Sequence, residues 1–285
     1  MRKLIFILTL LTTMSSNAQV LFFQTDWGNE LPYPMFLDKV KKEGYDGIET
    51  WLPGTSERRK ELQAELQKAQ LKLVFLCGTR QDIPFDESLK RYRQDLEDAA
   101  SFRPVAINSH TGSDFWTLEQ NLAFVKIAHE VSQKSGIGIY HETHRGRFTY
   151  TLPNTLAMAQ AFPAMGLTLD VSHWMVVHER LLPANHPGLT SLYNQIGHIH
   201  ARIGHAEGPQ VADPSAPEWK DALATHVAIW KEIAKKRHGK LLTITTEFGP
   251  PTYMPTVPFT MVPLADQWKV NVEMMKTVRK ALSDE

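Results

Sequence analysis

Cysteine is nearly absent: Cys77 is the only one in 285 residues. A single thiol excludes an internal disulfide and a thiolate metal cluster, and its expected place is that of a small buried hydrophobe. An excess of either charge is lacking too, with 31 basic against 31 acidic side chains. That balance argues against a nucleic-acid binder and against a protein held on an anionic membrane. No low-complexity linker or short internal repeat divides the chain. No apolar run reaches the length of a membrane span.

The apolar run at the beginning is short. Arg2 and Lys3 precede Leu4–Leu11, and Ser16-Asn17-Ala18 supplies small residues at the cleavage-site positions. Residues 1–18 therefore read as a secretory signal peptide. No cysteine follows it to carry a lipid anchor, so the protein is expected to be exported, in the periplasm. Residues 19–285 remain, enough for one large domain with a substantial core.

From Val20 onward, strand-like and helix-like pieces alternate. The strand-like runs are Val20–Gln24, Asp46–Trp51, Leu71–Cys77, Val105–Asn108, Ile137–Glu142, Leu167–Asp170, Gly197–Ala201 and Leu241–Thr246. Each is followed by a helical stretch. In one of these Trp219, Leu223, Val227, Trp230 and Ala234 trace a single face; in the last Trp268, Val272, Met275 and Val278 do so. Between Val176 and Ile196 the helical pattern is broken. Eight β-then-α units predict a (β/α)8 TIM barrel. An open doubly wound sheet is the alternative, but it gathers ligands near one switch point, whereas here polar residues arrive from many strand ends.

Four apolar runs end on groups that burial alone would penalise: Glu142, Asp170, His200 and Glu247. The intervals between 142, 170 and 200 each suit one βα unit, and that from 200 to 247 suits a unit enlarged by a loop. A barrel would bring the four together at its C-terminal mouth. Three carboxylates and an imidazole suit one divalent ion, Mn2+ first, with Mg2+, Co2+ or Zn2+ as alternatives. Without a cation the carboxylates would raise one another's pKa values.

Several stretches resemble the xylose-isomerase-like TIM barrels, which include the sugar phosphate isomerases and epimerases. These are Gly44-Tyr-Asp-Gly-Ile-Glu49, Ile107-Asn-Ser-His-Thr-Gly112, Glu142-Thr-His144, Asp170-Val-Ser-His173 and His198-Ile-His200. The resemblance implies one metal held by Glu142, Asp170, His200 and Glu247, with Glu142 and Glu247 also exchanging a proton with the substrate carbon. Such a metal would acidify the carbon between a carbonyl and an adjacent hydroxyl and stabilise the enediolate. His198 and His200 share a face; the resemblance selects His200 as ligand and leaves His198 as a hydrogen-bonded core histidine. His173 would serve substrate, a second metal or a hydrogen bond to a ligand.

Further substrate contacts are expected from His110, His144, Arg202, Glu49 and Trp51, with strand-end capping the alternative for Glu49. Trp116 and Trp174 also follow strands and would either stack on sugar or pack. Two departures concern substrate pose: Phe148 stands where the ketose epimerases commonly carry a glutamate, and Ala206 where they carry an arginine. A trinuclear zinc nuclease is disfavoured, because Cys77 ends strand three without a histidine and Asp213-Pro-Ser215 lacks an Asp-x-His pair.

The expected function is an exported, divalent-metal-dependent sugar isomerase or epimerase. The alternatives are a lyase or hydrolase of keto-glycosides on the same metal site, and a sugar-binding barrel without turnover. The partner is a small sugar or sugar derivative, with no nucleic acid and no membrane span; a homo-oligomer stays open. The proline-rich loop Phe248–Pro263 is expected to be preformed and to cover the mouth, on its own subunit or a neighbour's.

Overall fold

Runs of β-branched and aromatic residues bounded by turn residues form strands, and each strand here is buried on both faces. In the computed structural model, which describes residues 18–284, the strands are β1 (Gln19–Thr25), β2 (Gly47–Trp51), β3 (Lys72–Gly78), β4 (Ala106–His110), β5 (Gly138–Glu142), β6 (Leu167–Leu169), β7 (Ile196–Ala201) and β8 (Leu241–Thr246). All neighbours pair in parallel, and β1 closes on β8 to complete an eight-stranded barrel. The expected (β/α)8 TIM barrel is the observed fold. All but the last residue of the signal-peptide segment lies outside the described residues, and β1 begins directly after it.

Helices α1 (Tyr33–Lys42), α2 (Ser56–Ala69), α3 (Phe85–Ser101), α4 (Leu118–Ser135) and α5 (Leu152–Ala161) follow the first five strands. After β6 the broken pattern resolves into two short helices, α6 (Val171–Val177) and α7 (Pro187–Leu192), and a 3-10 turn. Helices α8 (Lys220–Lys236) and α9 (Gln267–Ser283) complete the ring. Local chemistry sets several helix starts. Thr117 and Gln120 form a capping box for α4, and Thr55, Thr151 and Asp266 each accept a backbone N–H at the start of α2, α5 and α9. Among the described residues no helix is long and apolar enough to cross a membrane.

The core has two parts. Outward-facing strand residues such as Phe22, Phe75, Ile107, Ile199 and Ile244 pack on the helices. Inside the barrel, Leu21, Phe23, Val74 and Ala106 form a separate apolar plug toward the N-terminal ends of the strands. Above that plug the interior turns polar, with buried Glu49, Asn108, His198 and Thr245. The barrel is therefore closed from below and keeps its polar groups for the mouth. Cys77 is buried as expected.

Candidate metal centre and mouth

The four strand-end residues meet. One donor atom each from Glu142, Asp170, His200 and Glu247 lies within 4.8 Å of all the others, and all four residues are buried. Each arrives by a different local device. Glu142 is the last residue of β5, and His200 lies in β7, one residue from its end. Glu247 directly follows β8. Asp170 lies just beyond the three-residue β6 and caps α6, its Oδ1 accepting the Ser172 N–H at 3.0 Å. It was expected inside the strand; the capping bond draws it out into the turn.

His200 is aimed from behind. Its Nε2 stands 3.1 Å from both oxygens of Glu49, which fixes the ring and leaves Nδ1 facing the cluster. Nδ1 is 2.9 Å from Glu247 Oε2 but without hydrogen-bond geometry, and together with Glu142 Oε1 it is buried with no hydrogen-bond partner. Two orphaned buried atoms converging among three carboxylates are what a bound cation would satisfy. The all-oxygen-and-imidazole donor set fits a divalent ion of the Mg2+ to Zn2+ range. These residues fit the group that the sequence implies.

The charges confirm how crowded the cluster is. Burial raises the Asp170 carboxyl to about 6, aided by Glu247 and Glu142 and opposed by Arg202. Burial acts the same way on Glu142, but His110 and His200 beside it outweigh burial and hold that carboxyl well below the usual range. Burial would depress His200, yet Glu247, Glu49 and Glu142 together raise it well above its ordinary value.

The other expected site residues are placed as follows. Glu49 does not reach out as a free contact at the mouth. Only 3% exposed, its carboxylate takes bonds from His198, His200, Asn108 and Thr245. His198 lies one layer below, bonded to Glu49 and, through Nδ1, to Thr243 at 2.7 Å. Arg202 is fully buried and bonded to Asp170, with its Nη1 3.4 Å from Glu247 Oε2. His110 Nε2 is 2.8 Å from Glu142 Oε2. The His144 ring packs between those of His110 and His173, tilted to both, at centroid distances of 4.5 and 4.1 Å. His173 is buried, 3.0 Å from Arg202 Nη2 and 3.7 Å from Asp170 Oδ2.

A cavity of about 230 Å3 reaches the cluster at Glu247, and its lining also includes Glu49, Trp51, His110, His144 and Arg202. Trp51 stands half exposed at its edge. Trp174 is completely buried, its indole N–H bonded to Thr149 O, and Trp116 stacks on Phe124, so both pack. The loop after β8 divides. Tyr253 lines the cavity, Met254 is buried, and Val257, Phe259, Met261 and Val262 point into solvent. Of a loop expected to cover the mouth of its own subunit or a neighbour's, only the base lies at its own mouth. The sequence reading missed Asp26, Trp27 and Thr25 on the cavity wall. Thr25 ends β1 as Trp51 ends β2, and Asp26 and Trp27 follow directly, so the strand-end rule applied to the first strand would have found them.

Comparison with known proteins agrees with this fold. The family model described as xylose isomerase-like TIM barrel matches residues 37–226. No curated protein matches the chain significantly. Solved structures of similar fold include D-allulose 3-epimerase from Methylomonas sp. in complex with D-allulose, 14% identical with a TM-score of 0.63, covering 94% of this chain and 99% of that one. Another is 3-keto-D-glucoside 4-epimerase from E. coli, 14% identical with a TM-score of 0.62, covering 92% and 100%. A third is a xylose isomerase-like TIM barrel protein from Mycobacterium smegmatis in complex with magnesium, 12% identical with a TM-score of 0.62, covering 94% and 98%.

Proposed function

The chain belongs to the xylose isomerase-like TIM barrel family, and from that premise we propose that it is an exported, divalent-metal-dependent isomerase or epimerase of a sugar or sugar derivative. The observation that carries the reading is the convergence of Glu142, Asp170, His200 and Glu247, with Glu247 lining one open cavity. A divalent ion held there would supply Lewis-acid polarisation to a carbonyl and its neighbouring hydroxyl.

The chain's own residues divide the remaining work. Glu247 faces the cavity and is placed to take a proton from a substrate carbon. Glu142 lies beneath His110, so a proton exchanged on that side reaches it through the His110 imidazole. Arg202, held by Asp170, offsets part of the negative charge when a carboxylate is unprotonated. Glu49 keeps the His200 ring aimed. The segment from Arg2 to Ala18 supports export, which favours a free or glycosidic sugar as substrate.

A lyase or hydrolase of keto-glycosides on the same cluster is the second reading. Incubation with a panel of sugars and keto-glycosides in D2O separates the two. Incorporation of solvent deuterium without loss of an aglycone is expected for the isomerase, and release of the aglycone marks the lyase. Neither exchange nor elimination across the panel would leave a sugar-binding barrel. Elemental analysis should find about one divalent ion per chain, and full activity in metal-free protein would overturn the mechanism.

A further inference from the structure

The wall of the cavity supplied by β1 and β2 is unlike the metal cluster, because its groups are not spent on one another. Asp26 directly follows β1. Its Oδ2 accepts the Thr50 hydroxyl, and among the described residues no cation pairs with the carboxylate. Burial raises this carboxyl to about 6, against the Thr50 hydrogen bond and with the help of the Glu49 charge. A carboxylate so enclosed loses hydration and gains no counter-charge, so a hydroxyl donor arriving in the cavity would be welcome.

Two indoles flank it, and each is seated on a glycine. A Cβ on Gly249 would lie 2.4 Å from the Trp27 ring, and one on Gly78 would lie 3.3 Å from the Trp51 ring. Any side chain at Gly249 would drive Trp27 from its seat. Edge-on contacts fix both rings further: Trp27 on Tyr253 at 4.9 Å and Trp51 on His110 at 5.3 Å. Trp51 is nevertheless 50% exposed beside the cavity. A rigid, half-exposed indole is costly in water and useful against the C–H face of a sugar ring. The guanidinium in the lining, Arg202, is already engaged by Asp170 and Glu247. An anionic substituent entering along this wall would meet Asp26 with no unengaged arginine or lysine in the lining.

We propose that Asp26, Trp27 and Trp51 form a subsite for an uncharged sugar ring, so that the molecule presented to the metal cluster is a neutral sugar or glycoside and not a sugar phosphate. Asp26 is the specificity-determining residue: it accepts a ring hydroxyl and repels anions. The assignment rests on the proposed function for the identity of the reaction, but binding to the wall does not require turnover.

The test is binding to the Mn2+-loaded full chain, followed by calorimetry and by tryptophan emission. The probes are methyl β-D-glucopyranoside, methyl β-D-galactopyranoside, D-fructose and D-allulose, with D-glucose 6-phosphate and D-fructose 6-phosphate as their charged counterparts. A neutral probe is expected to bind and to change indole emission, with the phosphates at least about tenfold weaker. Asp26→Asn should weaken the neutral probe on the order of 10- to 100-fold and narrow the gap to the phosphates. Thr50→Val, which removes the hydroxyl held by Asp26, should leave binding within about twofold, and ion content should be unchanged in both variants.

Phosphates binding as well as neutral sugars would overturn the proposal, as would an Asp26→Asn protein that binds like the original. So would a Thr50→Val protein that reproduces the loss, since Asp26 would then be a strand-end brace, or failure of every neutral probe up to its solubility. Binding that depends on Asp26 in a protein that takes up no metal would sink the proposed reaction and leave the subsite standing. Metal-dependent exchange that ignores Asp26 would do the reverse.

Discussion

The two sides of the barrel mouth treat polar groups in opposite ways. On the β5–β8 side, Glu142, Asp170, His200 and Glu247 lie within touching distance, buried, with Arg202 and Glu49 locked around them. On the β1–β2 side, Asp26, Trp27 and Trp51 face the cavity with little to satisfy them but Thr50 and two glycines. The first arrangement repels itself unless a cation neutralises it, and the second offers an acceptor and two ring faces to the cavity. On the proposed function, a mouth built this way separates holding a metal from recognising a substrate.

The largest effect that could break this contrast is removal of one cluster carboxylate. Asp170→Ala should lose the divalent ion and lower turnover by more than about 100-fold, since even a neighbour of a ligand is worth 10–100-fold. Elemental analysis and solvent-deuterium exchange read it together. Unchanged activity in ion-free protein would show that the crowded side is merely a buried network.

Glu49→Gln probes the layer beneath. It leaves all four cluster residues in place but replaces the charge behind His200 Nε2. Affinity for Mn2+, measured by competition with a chelator, should fall by about 10- to 100-fold. An unaltered affinity would reduce Glu49 to packing.

The loop after β8 tests where recognition stops. Tyr253 packs against Trp27 and lies under the guanidinium of Arg202, 4.8 Å from ring centroid to Cζ. Tyr253→Ala should raise KM by about 3- to 10-fold with little change in metal content. Deleting residues 256–263, whose apolar side chains point to solvent, should change KM by less than about twofold. If the deletion matches Tyr253→Ala, the tip reaches a mouth after all.

The smallest functional effect is expected outside both sides. Buried His226 takes the Gly204 N–H on Nε2 and donates from Nδ1 to Ala222 O. Burial lowers its pKa to about 4 from 6.5. The unfolded chain binds a proton below 6.5 that the folded protein refuses, so stability is full above that pH and falls as pH drops toward 4. The loss approaches about 3 kcal/mol. His226→Gln should flatten this acid limb in denaturant titrations at several pH values while leaving turnover at pH 8 unchanged. An acid limb as steep as the original would show that other groups carry it.

Much of this was readable before any coordinates. Apolar runs ending on Glu142, His200 and Glu247 announced both strand and site, because a carboxylate or imidazole at a buried strand's end needs a partner. Asp170 was read one residue too far into its strand, since its capping bond to Ser172 N is a local alternative that the apolar pattern does not reveal. Trp51 ends a strand and Trp174 lies a few residues beyond one, yet Trp174 is buried and Trp51 half exposed. Sequence distance from a strand end does not tell which way a ring turns.

Sequence alone determined the alternation of eight β-then-α units and the chemical kind of the four strand-end residues, because period, length and the cost of burying charge are local properties. Tertiary structure decided the rest. Barrel closure set β1 beside β8 and so brought Asp26 and Trp27 to the cavity that Glu247 faces. It also turned Glu49 inward to hold His200 and engaged Arg202 with Asp170 and Glu247. Those partnerships join residues far apart in the chain, and only the packed geometry chooses among the many pairs of opposite charge that the sequence allows.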